Sequence, residues 1–184
     1  MKLNIGCGNK YESGWVNTDI TKQVKADYYF NVGTDKFPFK NNTFDEAKAE
    51  MVFEHLANYN ERIHFLKELY RVCKPTAKIL LTMPHFSCHG AWQDLQHTRP
   101  FGSMSFDYVS VNKTNPNSIM HDQEIEGENS MFKTTPKIVF GKVYKLLGVE
   151  WFANTWRGRQ IYEFFWAYML PCREIHFTLE VVKK

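Results

Sequence analysis

Apolar positions along this chain come first in short bursts. Lys2–Ile5 is a four-residue run that stops at Gly6, the length of a buried strand. Trp15–Ile20 (WVNTDI) reads as a second strand with an acid near its end, and Ala26–Asn31 (ADYYFN) as a third. Phe44–Glu50 (FDEAKAE), after the turn-like KNNT, reads as a fourth. The period then changes. Ile63, Leu66, Leu69 and Cys73 recur at helical spacing across Asn58–Cys73, and Lys74-Pro75 ends that helix. Lys78–Met83 (KILLTM) is a fifth strand, stopped by Pro84. Strands alternating with helical segments predict an α/β domain around a mainly parallel sheet.

From about Pro84 to Pro136 the periodicity fades and Ser, Asn, His and Gly dominate, as in a lid or an irregular insertion. Order then resumes. Lys137–Leu147 fits a strand or a short helix, Gly158–Leu170 an aromatic helix, and Glu174–Val182 alternates as a closing strand. The aromatic helix is expected to pack on the sheet; a dimer face or a membrane-surface patch are its other readings. No repeat or linker divides residues 1–184, so one domain is expected.

Composition narrows the function. The net charge of +3 in 184 residues, with no long run of like charge, gives no support to a nucleic-acid partner. The four cysteines are scattered and form no C-x-x-C pair, which points to free thiols in a reducing cytoplasm. The apolar stretch near Met1 is too short for a signal peptide, and FFWAYML is too short to span a membrane.

The chemistry starts at LNIGCGNK. Glycine lets a backbone turn sharply and approach a ligand closely. A carboxylate at the tip of the second strand, here Asp19, can accept both hydroxyls of a ribose. Asp19 follows Gly8 too soon for a dinucleotide fingerprint, and the third glycine is absent. The crossover from Gly6 to Trp15 is too short for a full helix, so Lys10–Gly14 is expected to be one turn or a loop.

With WVNTDI, FPFKNNTFDEAKAEMVFEHL and FLKELYRVCKPTAKILLTMPH, this stretch resembles class I S-adenosylmethionine-dependent methyltransferases of the type 11 kind. The resemblance is strong over Leu3–His85 and looser through DLQHTRPF and the closing segment. It implies a Rossmann-like class I methyltransferase fold: a seven-stranded, mostly parallel sheet with an antiparallel last strand. It implies S-adenosylmethionine as cofactor and a small-molecule acceptor, with a sugar or glycan intermediate as one candidate. Gly6, Cys7 and Gly8 would pass under the methionine part of the cofactor. Asp19 would hold the ribose, Ile20 and Val32 would flank the adenine, and Asn31 would meet its amino group. Glu50 and Met51 would flank the methionine end. Asn4 stands there too, where many relatives carry an acid, and KPTAK replaces the usual KPGG turn. A silent S-adenosylmethionine-binding domain is the alternative that the missing acid supports.

Transfer to a hydroxyl is helped by a general base, and histidine is the usual one. His85 leaves the fifth strand at the rim where ligands bind, and His55, His97 and Asp94 are the other candidate catalytic residues. His85, His89 and His97 match no metal-ligand spacing, so no metal is expected; a metal-dependent hydrolase is the weakest reading. A homodimer fits the aromatic tail.

Overall fold

The computed structural model describes residues 1–112 and 131–183. Seven strands form one sheet: β1 (Lys2–Ile5), β2 (Val16–Asp19), β3 (Tyr28–Tyr29), β4 (Phe44–Glu50), β5 (Cys73–Met83), β6 (Phe132–Val139) and β7 (Glu174–Val181). Their order is β3-β2-β1-β4-β5-β7-β6. Only β7 runs antiparallel, paired with β5 on one side and β6 on the other. The strand order reverses between β1 and β4, which opens a crevice at their carboxyl ends.

Alternation explains the layering. Leu3, Ala47, Ile79 and Leu179 stand in register across the sheet, as do Ile5, Ala49, Leu81 and Phe177. All eight are buried, together with Phe65, Leu66, Leu69 and Val72 of helix α1 (Tyr59–Val72). The alternate positions are polar at Lys2, Asn4, Glu46, Lys48, Lys78, Thr178 and Glu180, with Leu80 the exception. That is the pattern of a sheet with one apolar and one polar face.

The crossovers out of β1, β2 and β3 contain no helix. The first, as its length predicts, is a loop, and side chains stitch it to the polar face. Asn17 Oδ1 accepts from Asn4 Nδ2 and from the Glu12 N–H, both at 2.9 Å. Asn17 Nδ2 donates to the carbonyls of Glu12 and Trp15. Asp27 Oδ2 accepts from the Asn17 N–H at 2.7 Å. Lys48 reaches up to Glu12 and Glu50.

Helix α1 starts where Asn58 accepts from the Glu61 N–H at 3.0 Å. It does not stop at the proline. Cys73 turns extended and begins β5, and Pro75 sits in a bulge where the β4–β5 pairing skips from Cys73 to Lys78. Thr76 there takes a positive φ of 65°, the conformation that glycine usually supplies in such a turn.

Three expectations are corrected. The third strand shrinks to Tyr28–Tyr29. The irregular segment ends before Phe132, because Phe132–Val139 is an edge strand; an edge tolerates Pro136. Within its described part lies helix α2 (Gly90–Gln93), while 113–130 of the expected insertion fall outside the described residues. The aromatic tail is not a core helix. Helices α3 (Lys142–Leu146), α4 (Val149–Ala153) and α5 (Trp156–Ile161) lead into a π-helical turn, Tyr162–Trp166. Tyr162 and Ala167 are buried there, but Phe164, Phe165, Tyr168 and Met169 are exposed. No helix among the described residues is long and apolar enough to cross a membrane.

Because Asn17 carries so much of the first crossover, Asn17→Ala is expected to destabilise the fold by about 2–4 kcal/mol, with several buried polar groups left unpaired. Urea denaturation monitored by circular dichroism measures this.

Candidate active site

A pocket of about 400 Å³ lies at the carboxyl ends of the first four strands. Gly6 after β1, Asp19 and Ile20 at the end of β2, Asn31 and Val32 after β3, and Met51 after β4 all line it. Gly6 is required by geometry. Its φ is +62°, and a Cβ there would sit 2.4 Å from Val52 Cγ2. Gly8 has φ +49° with open space around it, and its N–H donates to Asp19 Oδ2 at 2.8 Å. Asp19 Oδ1 accepts from the Thr21 N–H at 3.0 Å. The carboxylate is thus fixed by two main-chain donors, and each oxygen retains a lone pair for a ligand.

Four expected cofactor residues point elsewhere. Asn4 donates to Asn17 and to the Lys10 carbonyl, because the loop that replaces the first crossover helix needs those bonds. Cys7 is buried and its thiol faces the Lys25 carbonyl; burial and Asp19 push its pKa up. Glu50 is held by Lys10 and Lys48, which keep its carboxyl below the usual range. Gly8 acts through Asp19. Asn31 lines the pocket, with its Oδ1 accepting from the Gly33 N–H. Sequence reasoning missed Glu61, which also lines the pocket. The signal was present as Asn58-x-x-Glu61, a capping box: Glu61 returns to accept from Asn58 Nδ2 and the Ala57 N–H.

At one end of the pocket stands a polar cluster. Phe53–His55 is a single 3-10 turn between β4 and α1. The Thr98 N–H donates to the Glu54 carbonyl at 3.1 Å, and Thr98 Oγ1 to the Leu56 carbonyl at 2.8 Å. These bonds press His97 against the turn, and the His55 and His97 rings lie 4.8 Å apart. Asp94 Oδ2 is 3.8 Å from His97 Nε2. Burial, with a smaller effect of His97, lowers the pKa of His55. Glu54 is 1% exposed, and no other residue donates a hydrogen bond to its two carboxylate oxygens. Burial raises its pKa to about 7, only partly opposed by its own N–H. Ligand atoms of Glu54, His55 and His97 lie within 4.8 Å of one another, the one such grouping among the described residues.

His85 is not part of this site. It is 0% exposed and does not line the pocket. The Ser87 N–H donates to its Nδ1, so its Nε2 carries the hydrogen that faces Glu163 Oε1 at 3.1 Å. Ser103 donates its N–H and its hydroxyl to the same carboxylate, both at 2.7 Å. Burial raises the Glu163 pKa, but the bonds from His85 and Ser103 outweigh it and the net shift is downward. His85 is therefore a strut between the exit of β5 and the π-helical turn. Glu163 also lines a second cavity of about 690 Å³, with Phe86, Arg99, Ser103 and Phe164. On helix α1, Glu68 is buried and accepts from the Phe37 N–H and from Arg71.

Residues 3–81 match the family described as Methyltransferase domain. No curated protein matches the chain. Among solved structures, a SAM-dependent methyltransferase from Archaeoglobus fulgidus superposes with a TM-score of 0.62 at 12% identity. The match covers 97% of this chain and 85% of that one. A chain of the complex between the Haloferax volcanii Trm112 methyltransferase activator and a methyltransferase gives a TM-score of 0.54 at 13% identity, covering 100% and 82%. These likenesses show the fold.

Gly6→Ala is expected to cost at least about 2 kcal/mol, from the positive φ and the collision with Val52. Gly8→Ala should cost less, having only the φ penalty. Glu163→Gln is expected to lose about 1–3 kcal/mol near neutral pH. Because its folded pKa is depressed, that stability is present above its ordinary value of 4.5 and is lost as the pH falls through the folded value. Thermal melts of both proteins between pH 3 and 8 (a range of about five units) should therefore converge at the acid end.

Proposed function

We propose that this chain is a class I S-adenosylmethionine-dependent methyltransferase that methylates a hydroxyl of a small-molecule acceptor, a reading supported by the match of residues 3–81 and by the fold. The cofactor of this family is S-adenosylmethionine. The residues present fit it. A glycine whose positive φ and closeness to Val52 disfavour any Cβ lines the pocket, and a fixed carboxylate awaits a ribose at the end of β2. Ile20 and Val32 offer apolar surface to an adenine, and Asn31 a side-chain amide. When bound, S-adenosylmethionine supplies a methyl on a sulfonium, which an acceptor lone pair takes in line while the carbon–sulfur pair stays on sulfur.

The chain's own work is then alignment and proton handling. His55 lines the pocket and reaches toward His97, which Asp94 approaches from the solvent side. These three, with Glu54, form the acceptor side. Histidines and carboxylates suit a hydroxyl, whose proton must leave as its oxygen gains the methyl group. A sugar or glycan intermediate is the acceptor this polarity favours. The observation that carries the reading is the juxtaposition of the Gly6–Asp19 pocket with the His55–His97 cluster.

Asp19→Ala is expected to weaken S-adenosylmethionine binding about 100-fold, the loss of charge-assisted bonds to a ribose. Asp27→Ala, which loosens the loop but touches no pocket residue's ligand side, should weaken it far less. Calorimetry on the two variants decides; equal losses contradict the placement of the cofactor.

A further inference from the structure

Two glutamates near the two cavities, Glu54 buried and Glu163 half-buried, are treated in opposite ways. Glu163 accepts hydrogen bonds from His85 and Ser103. Glu54 is more deeply buried, and no neighbour donates to either of its oxygens. His97 Nδ1 is likewise buried without a partner. Buried polar groups are nearly always paired, and an unpaired carboxylate is the costliest exception. The orphaned oxygens and the orphaned nitrogen belong to one cluster, with ligand atoms of Glu54, His55 and His97 within 4.8 Å of one another. Main-chain bonds from Thr98 to the Glu54 turn hold that cluster together.

Two imidazoles and a carboxylate are a donor set for zinc, manganese, iron or cobalt, and three protein ligands leave positions open. His97 presents Nε2 to Asp94 at 3.8 Å, which leaves Nδ1 for the centre of the cluster. A carboxylate behind a ligating histidine is the usual outer support of such a site. Closing the ligand atoms to about 3.3 Å would give tetrahedral spacing at ordinary bond lengths. His55, an exposed residue whose ring packs on one side against His97, would supply most of that movement.

We propose that Glu54, His55 and His97 bind a divalent transition-metal cation at the acceptor end of the pocket, with Asp94 positioning His97. The cation's open positions hold the acceptor's hydroxyl oxygen and lower its pKa, and the proton goes to solvent as the oxygen–methyl bond forms. The metal site rests on the cluster alone; its use in holding the acceptor rests on the methyl-transfer reading.

Cobalt(II) is the probe. Chelator-treated protein is titrated with cobalt and followed by visible absorption and calorimetry, and S-adenosylmethionine affinity is measured on the same samples. One cobalt per chain is expected, with the absorption of a low-coordinate, histidine-ligated ion. Glu54→Gln and His97→Ala should each weaken cobalt binding at least about 100-fold, and Asp94→Asn about 10-fold. Glu54→Gln preserves shape and removes a buried unpaired charge, so it keeps the fold, and its cofactor affinity should stay near that of the parent. No cobalt binding by the parent, or unchanged cobalt affinity in both Glu54→Gln and His97→Ala, overturns the metal site. Loss of S-adenosylmethionine binding by the parent would instead defeat the methyl-transfer reading, with the cobalt result still deciding the metal site.

Discussion

The amide of Asn17 is the constraint on which the site depends. A parallel crossover usually carries a helix, whose main-chain bonds satisfy themselves. The crossover from Gly6 to Trp15 has no room for one, so its peptide groups need other partners on a polar sheet face. Asn17 supplies them, taking the Glu12 N–H, the Glu12 and Trp15 carbonyls and the amide of Asn4. With the loop fixed, Gly6 can turn under the pocket and Gly8 can present its N–H to Asp19. One side chain thus links the shortness of the loop to the readiness of the ligand carboxylate.

Glu163 and Glu54 show how the fold separates structure from chemistry. Glu163 is saturated by Ser103 and His85, and it ties the β5 exit to the tail. Glu54 is left without a donor from another residue and its pKa is raised to about 7, beside two histidines of which His55 lines the pocket. A residue kept for stability alone would be paired like Glu163 or replaced by an apolar side chain, since an unpaired buried charge only destabilises. The arrangement makes sense when Glu54 is reserved for a ligand.

Much of this was legible in the sequence, for physical reasons. FDEAKAE alternates only from Ala47 onward, yet β4 has the bounds Phe44–Glu50 read from it. The spacing of Gly6 and Asp19 placed both at the strand ends where the pocket lies. What escaped was orientation and long-range adjacency. Asn4 occupies the expected position, but its side chain turns to the loop, a consequence of a missing helix rather than of its own identity. His85 leaves β5 at the rim and then folds inward onto Glu163. Pro136 and the polar residues around it hid the edge strand β6, whose alternation is carried by Phe132, Thr134 and Ile138. Glu54 and His97 are far apart in the chain, and long-range contacts such as the Thr98 bonds to the Glu54 turn and the Phe53–Phe101 packing bring them together.

The central claim is that the Gly6–Asp19 pocket holds the methyl donor with its sulfur toward the Glu54–His55–His97 cluster. A crystal structure with S-adenosylhomocysteine tests it most directly. The account predicts ribose hydroxyls on the Asp19 carboxylate, adenine between Ile20 and Val32, and sulfur facing His55. Product bound instead in the cavity beside Phe86 and Glu163, or in the first pocket with its sulfur turned away from His55, would contradict it.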